Sequence, residues 1–176
     1  MLFRSSGVDS SFSVKALLSR HNNELANDFG NLMMRVAKLS QKNFGNTLKN
    51  ENFKQELQCD SLASDMNQAM EKREHHKALD LLWEKVNETN QYLNDKAPWK
   101  LKENPAQMKE VLFNGLYALT VISTNITPFL PSIGSQALQI LGQTVPPKHF
   151  DTPFATLSFT FPEVIAPLFP KIEKTF

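Results

Sequence analysis

Proline placement is the feature that most restricts how this chain can fold. Six of its ten prolines lie between residues 146 and 170. Because proline lacks a backbone N–H and clashes with the preceding helical turn, no long helix can form in that part of the chain. The proline-rich segment and the serine-rich opening divide the chain into three parts. These are a linker at residues 1–12, a helical bundle at residues 13–144 and a proline-rich tail at residues 145–176.

Before the tail, apolar residues recur at the three- and four-residue spacing of helices that bury one face. The clearest run, residues 22–43, ends before Gly45, at a position where glycine commonly follows a helix. The same reasoning predicts a short helix at 13–18 and further helices at 53–72, 75–94, 105–126 and 132–141, with a polar loop at 46–51. Residues 155–161 alternate enough to form an extended strand. We predict an all-α fold, an antiparallel helical bundle with an extended proline-rich C-terminal tail.

Length, charge and cysteine content exclude several classes of protein. At 176 residues, the chain is long enough for one well-buried domain and too short for two large ones. Its formal net charge of +1 argues against binding nucleic acid mainly by neutralising phosphates, although recognition by a few residues stays open. The single cysteine, Cys59, excludes an internal disulfide and a thiolate zinc cluster. No apolar run approaches the roughly 18 residues of a membrane span, so we predict no membrane partner.

Polar side chains in the first long helix form a second pattern. Asn27, Asn31 and Arg35 follow one another at intervals of four and share one helix face. Trp99 comes just after a predicted helix end, behind Pro98. Hydrogen-bond donors beside an aromatic ring suit a single unpaired nucleotide, because its base has a polar edge and a bare π-face. From spacing alone, we favour a solvated helix edge for the amides and the arginine, and a hydrophobic cap over the bundle for the tryptophan.

Other candidate residues have less support. His21, Glu24 and Asp28 lie along one helix, which offers too few converging ligands for a metal ion. The adjacent pair His75–His76 points in different directions on a helix. We therefore predict no metal site, and no catalytic residue. Trp83, within a predicted helix, is assigned to the core.

Several short motifs follow one another along the chain: Asp9 and Phe12-Ser13, residues 23–32 with Arg35-Val36, Asn90-Gln91-Tyr92-Leu93, Ala97-Pro98-Trp99, Phe129-Leu130-Pro131 and residues 167–173. In this order and spacing they resemble the anticodon-binding region of methionyl-tRNA synthetases. The resemblance runs from the linker before the bundle, through two signature helices, to the closing segment of the region. It covers about residues 9–173, nearly the whole chain.

The resemblance implies a role for the polar pattern. It assigns the first anticodon base, a cytosine, to Asn31, Arg35 and Trp99, and it implies that the pocket is shaped by Asn27, Asn90 and Tyr92. Cytosine offers acceptors at O2 and N3, whereas uracil has a donor at N3, so an arginine fork suits cytosine and meets an N–H in uracil. The implied partner is the anticodon loop of tRNA(Met), with no DNA.

One part of the family pattern is missing. The catalytic domain of these enzymes carries a "HIGH"-like and a "KMSKS"-like motif, and neither occurs in this sequence. We therefore expect a chain that is inactive alone and holds no cofactor of its own, whereas the parent enzyme, an ATP-dependent ligase, uses ATP. We interpret the chain as a C-terminal fragment, a split-gene half or a truncated translation. Its tail is expected to pack on the missing catalytic domain, in cis in the full-length enzyme.

Two further expectations follow from that interpretation. In isolation, the tail residues Phe161, Leu168 and Phe169 are expected to form an exposed apolar patch. The location is expected to be cytoplasmic, and an organellar one stays open. The alternative function is a non-catalytic helical module that binds tRNA or another protein.

Overall fold

The computed structural model describes residues 13–143 and 154–169, so the predicted linker lies outside the described residues. The helices are α1 (Val14–Arg20), α2 (Asn31–Phe44), α3 (Leu62–Glu71), α4 (His75–Lys96), α5 (Pro105–Ile126) and α6 (Pro131–Ile140). A π-helical segment, His21–Gly30, joins α1 to α2, and 3-10 turns occur at Pro98–Lys100 and Phe154–Thr156. In the part of the chain described, no helix is both long and apolar enough to cross a membrane.

Helix α5 lies at the centre of the bundle. It begins at Pro105, a favourable first-turn residue, and the side chain of Asn104 accepts a hydrogen bond from the backbone N–H of Gln107 at 3.2 Å. Every residue from Val111 to Ser123 is buried, because α2, α4 and α6 pack around this helix. The predicted all-α bundle is confirmed, and α5 has the bounds that apolar spacing predicted.

The two N-terminal helices predicted at residues 13–18 and 22–43 form one continuous helical stretch. The π-helical segment joins them over ten residues, and at its end the backbone N–H of Asn31 donates to the carbonyl of Ala26, five residues back. This wider helix buries Ala26 and Phe29 against the bundle. A π-helical run of this length is uncommon, and such segments are frequent at functional sites.

The predicted helix at residues 53–72 begins only at Leu62. The residues before it cross α5 as irregular chain, where the buried Asn114 binds them. Its side-chain oxygen accepts from the backbone N–H of Glu56 at 2.8 Å, and its amide group donates to the carbonyl of Lys54 at 2.9 Å. The backbone groups that would have formed a helix are therefore used in a tertiary contact.

The predicted tail strand is confirmed, but its partner was not predicted. Strand β2 (Ser158–Thr160) pairs antiparallel with β1 (Thr47–Lys49), which lies in the predicted polar loop, and Leu48 faces Phe159. Gly142, with φ of +68°, lies so close to β2 that a Cβ there would overlap the carbonyl oxygen of Thr160. The strand is therefore held between β1 and the end of α6.

The predicted exposure of the tail phenylalanines and leucine is wrong. Phe161, Leu168 and Phe169 are only 3%, 4% and 8% exposed, because they pack on the bundle itself. Phe169 lies edge-on to Phe29, with ring centroids 6.3 Å apart. Residues 144–153 and 170–176 lie outside the described residues. Packing of the tail on a catalytic domain stays a prediction.

Candidate functional site

Two helices meet at Arg35. This residue lies on the exposed side of α2, and its Nη2 donates a hydrogen bond to Oδ1 of Asn90 at 3.1 Å. Its Nη1 donates to Oδ1 of Asn94 at 3.4 Å. Because Asn90 and Asn94 lie four apart on α4, they share the helix face that borders α2. The guanidinium is therefore held between two neutral amides from another helix.

A sharp turn brings Trp99 to the same place. Helix α4 ends at Lys96, Ala97 takes the left-handed conformation with φ of +43°, and the buried Pro98 starts a 3-10 turn. The turn places the Trp99 ring with its centroid 5.5 Å from Cζ of Arg35, within the range of a cation–π contact. Trp99 is 38% exposed, so its ring is both anchored and accessible.

The arginine keeps its charge and has donors to spare. Partial burial lowers the pKa of the Arg35 guanidinium, but both of its hydrogen-bond partners are neutral and leave its charge uncancelled. A guanidinium has five N–H donors, so two hydrogen bonds leave others for a ligand. The site therefore combines a fixed cation, unused donors and an aromatic surface.

The structure places the remaining amides of the predicted ladder differently. Asn31 is exposed and lies one turn before Arg35 on the same face of α2. Asn27 is half-buried in the π-helical segment and donates to Oδ1 of Asn23 at 3.5 Å. That hydrogen-bond partner lies one turn further from Asn31 and Arg35 along the chain. A role for Asn27 in shaping the pocket stays a prediction.

Tyr92 lies on another face of α4 from Asn90, since two positions on a helix differ by more than half a turn. Its ring contacts Lys96, with Nζ 5.6 Å from the centroid. Its hydroxyl is buried without a hydrogen-bond partner in the described part of the chain. Burial, followed by the charges of Glu56 and Glu110, raises the pKa of Tyr92. The structure therefore brings Asn90, but not Tyr92, to Arg35.

Asn94 was not predicted from the sequence. Its signal was its spacing of four from Asn90, which places both on one helix face. The structure shows no alternative centre built on metal ligands: across residues 13–143 and 154–169, no three His, Cys, Asp or Glu residues are grouped to hold a metal ion. The arrangement of Arg35, Asn90, Asn94 and Trp99, with Asn31 beside them, is suited to grip a flat polar ring.

Comparison with known proteins gives a consistent assignment. The family model described as the anticodon binding domain of methionyl tRNA ligase matches residues 44–175, which contain Asn90, Asn94 and Trp99. A methionine–tRNA ligase of Bacillus subtilis (strain 168) is 30% identical over 180 residues, which cover 95% of this chain and 27% of that protein. The methionine–tRNA ligase of Rickettsia bellii (strain RML369-C) is 31% identical over 183 residues, covering 96% of this chain and 36% of the ligase.

Solved structures share the fold. The apo form of Mycobacterium tuberculosis methionyl-tRNA synthetase superimposes with a TM-score of 0.84 at 22% sequence identity, over 96% of this chain and 36% of that one. The same enzyme bound to methionyl-adenylate gives a TM-score of 0.79 at 23% identity. The chain thus spans only 27% of the length of the Bacillus subtilis ligase and 36% of the length of the Rickettsia bellii ligase.

Proposed function

The chain belongs to the family of anticodon-binding domains of methionyl-tRNA ligases, and on that premise we propose that it binds the anticodon loop of tRNA(Met) by reading its first base, a cytosine. One observation carries the proposal. The Arg35 guanidinium has unused donors and lies 5.5 Å from the ring of the half-exposed Trp99. A base needs both partners at once, one for its edge and one for its face.

Each residue has a separate part in this proposal. Trp99 stacks on the base, a contact worth about 1–3 kcal/mol in other proteins. Arg35 donates to O2 and N3 of cytosine, and the amide of Asn31, one turn away, extends the polar edge of the site. Uracil would set its N3–H against a donor of Arg35, and a donor left unpaired in this way costs about 1–3 kcal/mol.

Asn90 and Asn94 act as positioning residues. They fix the plane of the guanidinium through hydrogen bonds at 3.1 and 3.4 Å without neutralising it. A carboxylate in either place would satisfy the cation and compete with the base for it. Neutral partners leave the arginine free to bind a neutral acceptor edge.

In the whole ligase, we assign ATP binding and the chemistry to a catalytic domain outside this sequence. Binding of the anticodon here would then hold the tRNA so that its acceptor end reaches that domain. This division fits a chain that contains neither of the family's two catalytic motifs.

The test is a titration of the protein with two RNA stem-loops that differ only in the first anticodon base, cytosine or uracil. We expect the cytosine loop to bind at least tenfold more tightly. Arg35→Lys keeps the charge but removes the planar fork, so it should reduce this preference more than it reduces binding itself. Equal affinity of the wild-type protein for both loops would overturn the base-reading proposal. No binding to either loop would favour a module that binds another protein.

A further inference from the structure

Basic residues are concentrated in one part of the sequence. Residues 29–50 contain four cations and no acidic residue: Arg35, Lys38, Lys42 and Lys49. The formal net charge of the whole chain is only +1, so the remainder of the protein is net acidic. A nearly neutral protein thus has a strongly positive segment, and local clustering of this kind matters more for binding an anion than the overall charge does.

The helix α2 presents three of these cations on one side. Arg35, Lys38 and Lys42 are exposed and, with Asn31, fall within about 60° of arc at 3.6 residues per turn. The opposite side of α2 is buried against the bundle and contains Leu32, Met33, Val36, Ala37 and Ser40. The base-reading residues and the two lysines therefore form a single stripe.

No neighbouring carboxylate neutralises the two lysines within the described residues. Lys85, Lys96 and Lys109 each form an ion pair with a glutamate. Across residues 13–143 and 154–169, neither Lys38 nor Lys42 forms such a pair. Their charges are thus available to an external anion.

We propose that Lys38 and Lys42 form a phosphate-binding track, which holds the sugar-phosphate backbone of the tRNA anticodon arm next to the base read by Arg35. This inference rests on the function proposed above. At a rise of 1.5 Å per residue, Lys38 and Lys42 stand about 5 and 10 Å beyond Arg35 along the axis of α2. Flexible lysine side chains at these positions reach successive phosphates of a strand whose base is held by Arg35 and Trp99.

The track and the base-reading site contribute differently to recognition of the RNA. Contacts to phosphates fix the register and orientation of a nucleic acid but contain no information on its sequence. The track should therefore contribute affinity equally for a cytosine loop and a uracil loop. It should also make binding depend on salt, because each neutralised phosphate releases counterions.

The experiment compares two charge-matched double variants. Lys38→Gln/Lys42→Gln removes the track. Lys72→Gln/Arg73→Gln removes two exposed cations at the corner between α3 and α4. That corner lies roughly 25 Å along α4 from Asn90. Thermal melting first confirms that both variants fold like the wild type, as expected for exposed side chains.

Each protein is then titrated with the cytosine and uracil stem-loops at several salt concentrations. In the track variant, we expect the magnitude of the slope of log K against log salt to fall by about 1 to 2. The affinities for both loops should fall by the same factor. The control variant should keep the wild-type slope. If the track variant keeps the wild-type slope, or if the control variant loses as much of the slope as the track variant does, the proposed track is overturned.

The wild-type titration separates the two proposals. A wild type that prefers cytosine, together with an unchanged slope in the track variant, refutes the track alone. A wild type that binds both loops equally, with a lowered slope in the track variant, refutes base reading and supports the track. A wild type that binds neither loop overturns both.

Discussion

The guanidinium of Arg35 donates a hydrogen bond to the side-chain carbonyl of Asn90 at 3.1 Å, although the two residues lie 55 positions apart in the sequence. The bond crosses from α2 to α4 beside the exposed ring of Trp99. Both helices pack on α5, so this packing, rather than a flexible loop, sets the plane of the guanidinium. A site built on packed helices is more precise than one built on loops.

Asn90→Ala should loosen Arg35. Without this partner the guanidinium samples more orientations, so we expect the preference for cytosine over uracil to fall about three- to tenfold, or roughly 1 kcal/mol for a single hydrogen bond. Gln91→Ala is the control, because Gln91 is exposed on the next position of α4 and bonds to Asp95 instead. The ratio of the two dissociation constants is the measurement, and an unchanged ratio in Asn90→Ala would argue against a positioning role.

Trp99→Ala should weaken binding of the cytosine loop by about 1–3 kcal/mol, through loss of stacking, with little change in melting temperature. Trp83→Ala should do the reverse, because Trp83 packs against the core and leaves a cavity that costs about 2–4 kcal/mol of unfolding free energy. Calorimetric melting and stem-loop titration of both variants check this. If Trp99→Ala lowers stability and leaves affinity intact, Trp99 is a hydrophobic cap.

Asn114→Ala should lower the free energy of unfolding by about 2–4 kcal/mol, because it leaves buried backbone groups of Lys54 and Glu56 without partners. Denaturant unfolding measures this loss, and hydrogen exchange at the Glu56 amide should speed up locally. Asn125→Ala on the same helix removes one half-buried hydrogen bond to Val121 and should cost less than about 1 kcal/mol. Equal effects of the two substitutions would contradict the role assigned to Asn114.

Cys59 should be unreactive in the folded protein. Burial raises the pKa of its thiol to about 12, so almost no thiolate exists at pH 8. Labelling with a thiol reagent should follow global unfolding and speed up in denaturant. Rapid labelling of the native protein would refute the burial of this residue.

The same shift has a consequence for stability. The pKa of the Cys59 thiol is higher in the folded state than in the unfolded state. The contribution of this thiol to the free energy of unfolding is therefore fully present below the unfolded pKa near 9, and it is lost as the pH rises towards 12. The loss should reach about 1.4 kcal/mol per pH unit within that window. Cys59→Ala should flatten this part of the stability profile, and the slope remaining in this variant includes the tyrosines Tyr92 and Tyr117, whose pKa values are also raised.

Gly142→Ala and Gly45→Ala should separate backbone strain from a steric clash. Both glycines have positive φ, at +68° and +78°. A Cβ at Gly45 meets nothing within 4 Å, so only backbone strain is expected there, of about 1–3 kcal/mol, because its ψ of −166° lies in a region that is essentially restricted to glycine. At Gly142 the new Cβ would also overlap Thr160, which should add about 1–3 kcal/mol and loosen β2. Unchanged hydrogen exchange of the β2 amides in Gly142→Ala would count against tight packing of β2 on the end of α6.

Local pattern predicted the helices that pack by their own apolar faces. Helix α5 has the predicted bounds of 105 and 126, and α4 begins at the predicted residue 75. Local pattern failed between residues 53 and 61, where apolar spacing suits a helix but a distant side chain, Asn114, binds the backbone instead. Burial of Phe169 was missed for the same reason, since Phe29 lies far away in sequence.

The candidate site was likewise predicted only in part from the sequence. Family motifs pointed to Asn31, Arg35, Asn90 and Trp99, and the structure brings the last three into contact around one guanidinium. Asn27 lies in a π-helical segment, which a spacing rule based on α-helices cannot anticipate. Asn94 could be assigned to the site only after the structure showed that α4 lies beside α2.

The pairing of β1 with β2 also has a consequence for how the protein is made. Leu48 and Phe113 emerge from the ribosome long before Phe159, which covers them through the strand pair and a ring contact of 5.2 Å. At about 5–20 residues per second, the helices have seconds to assemble with this apolar surface still open. Closing the tail over it is a late, long-range step, so the nascent bundle offers a hydrophobic surface for a chaperone until its last strand arrives.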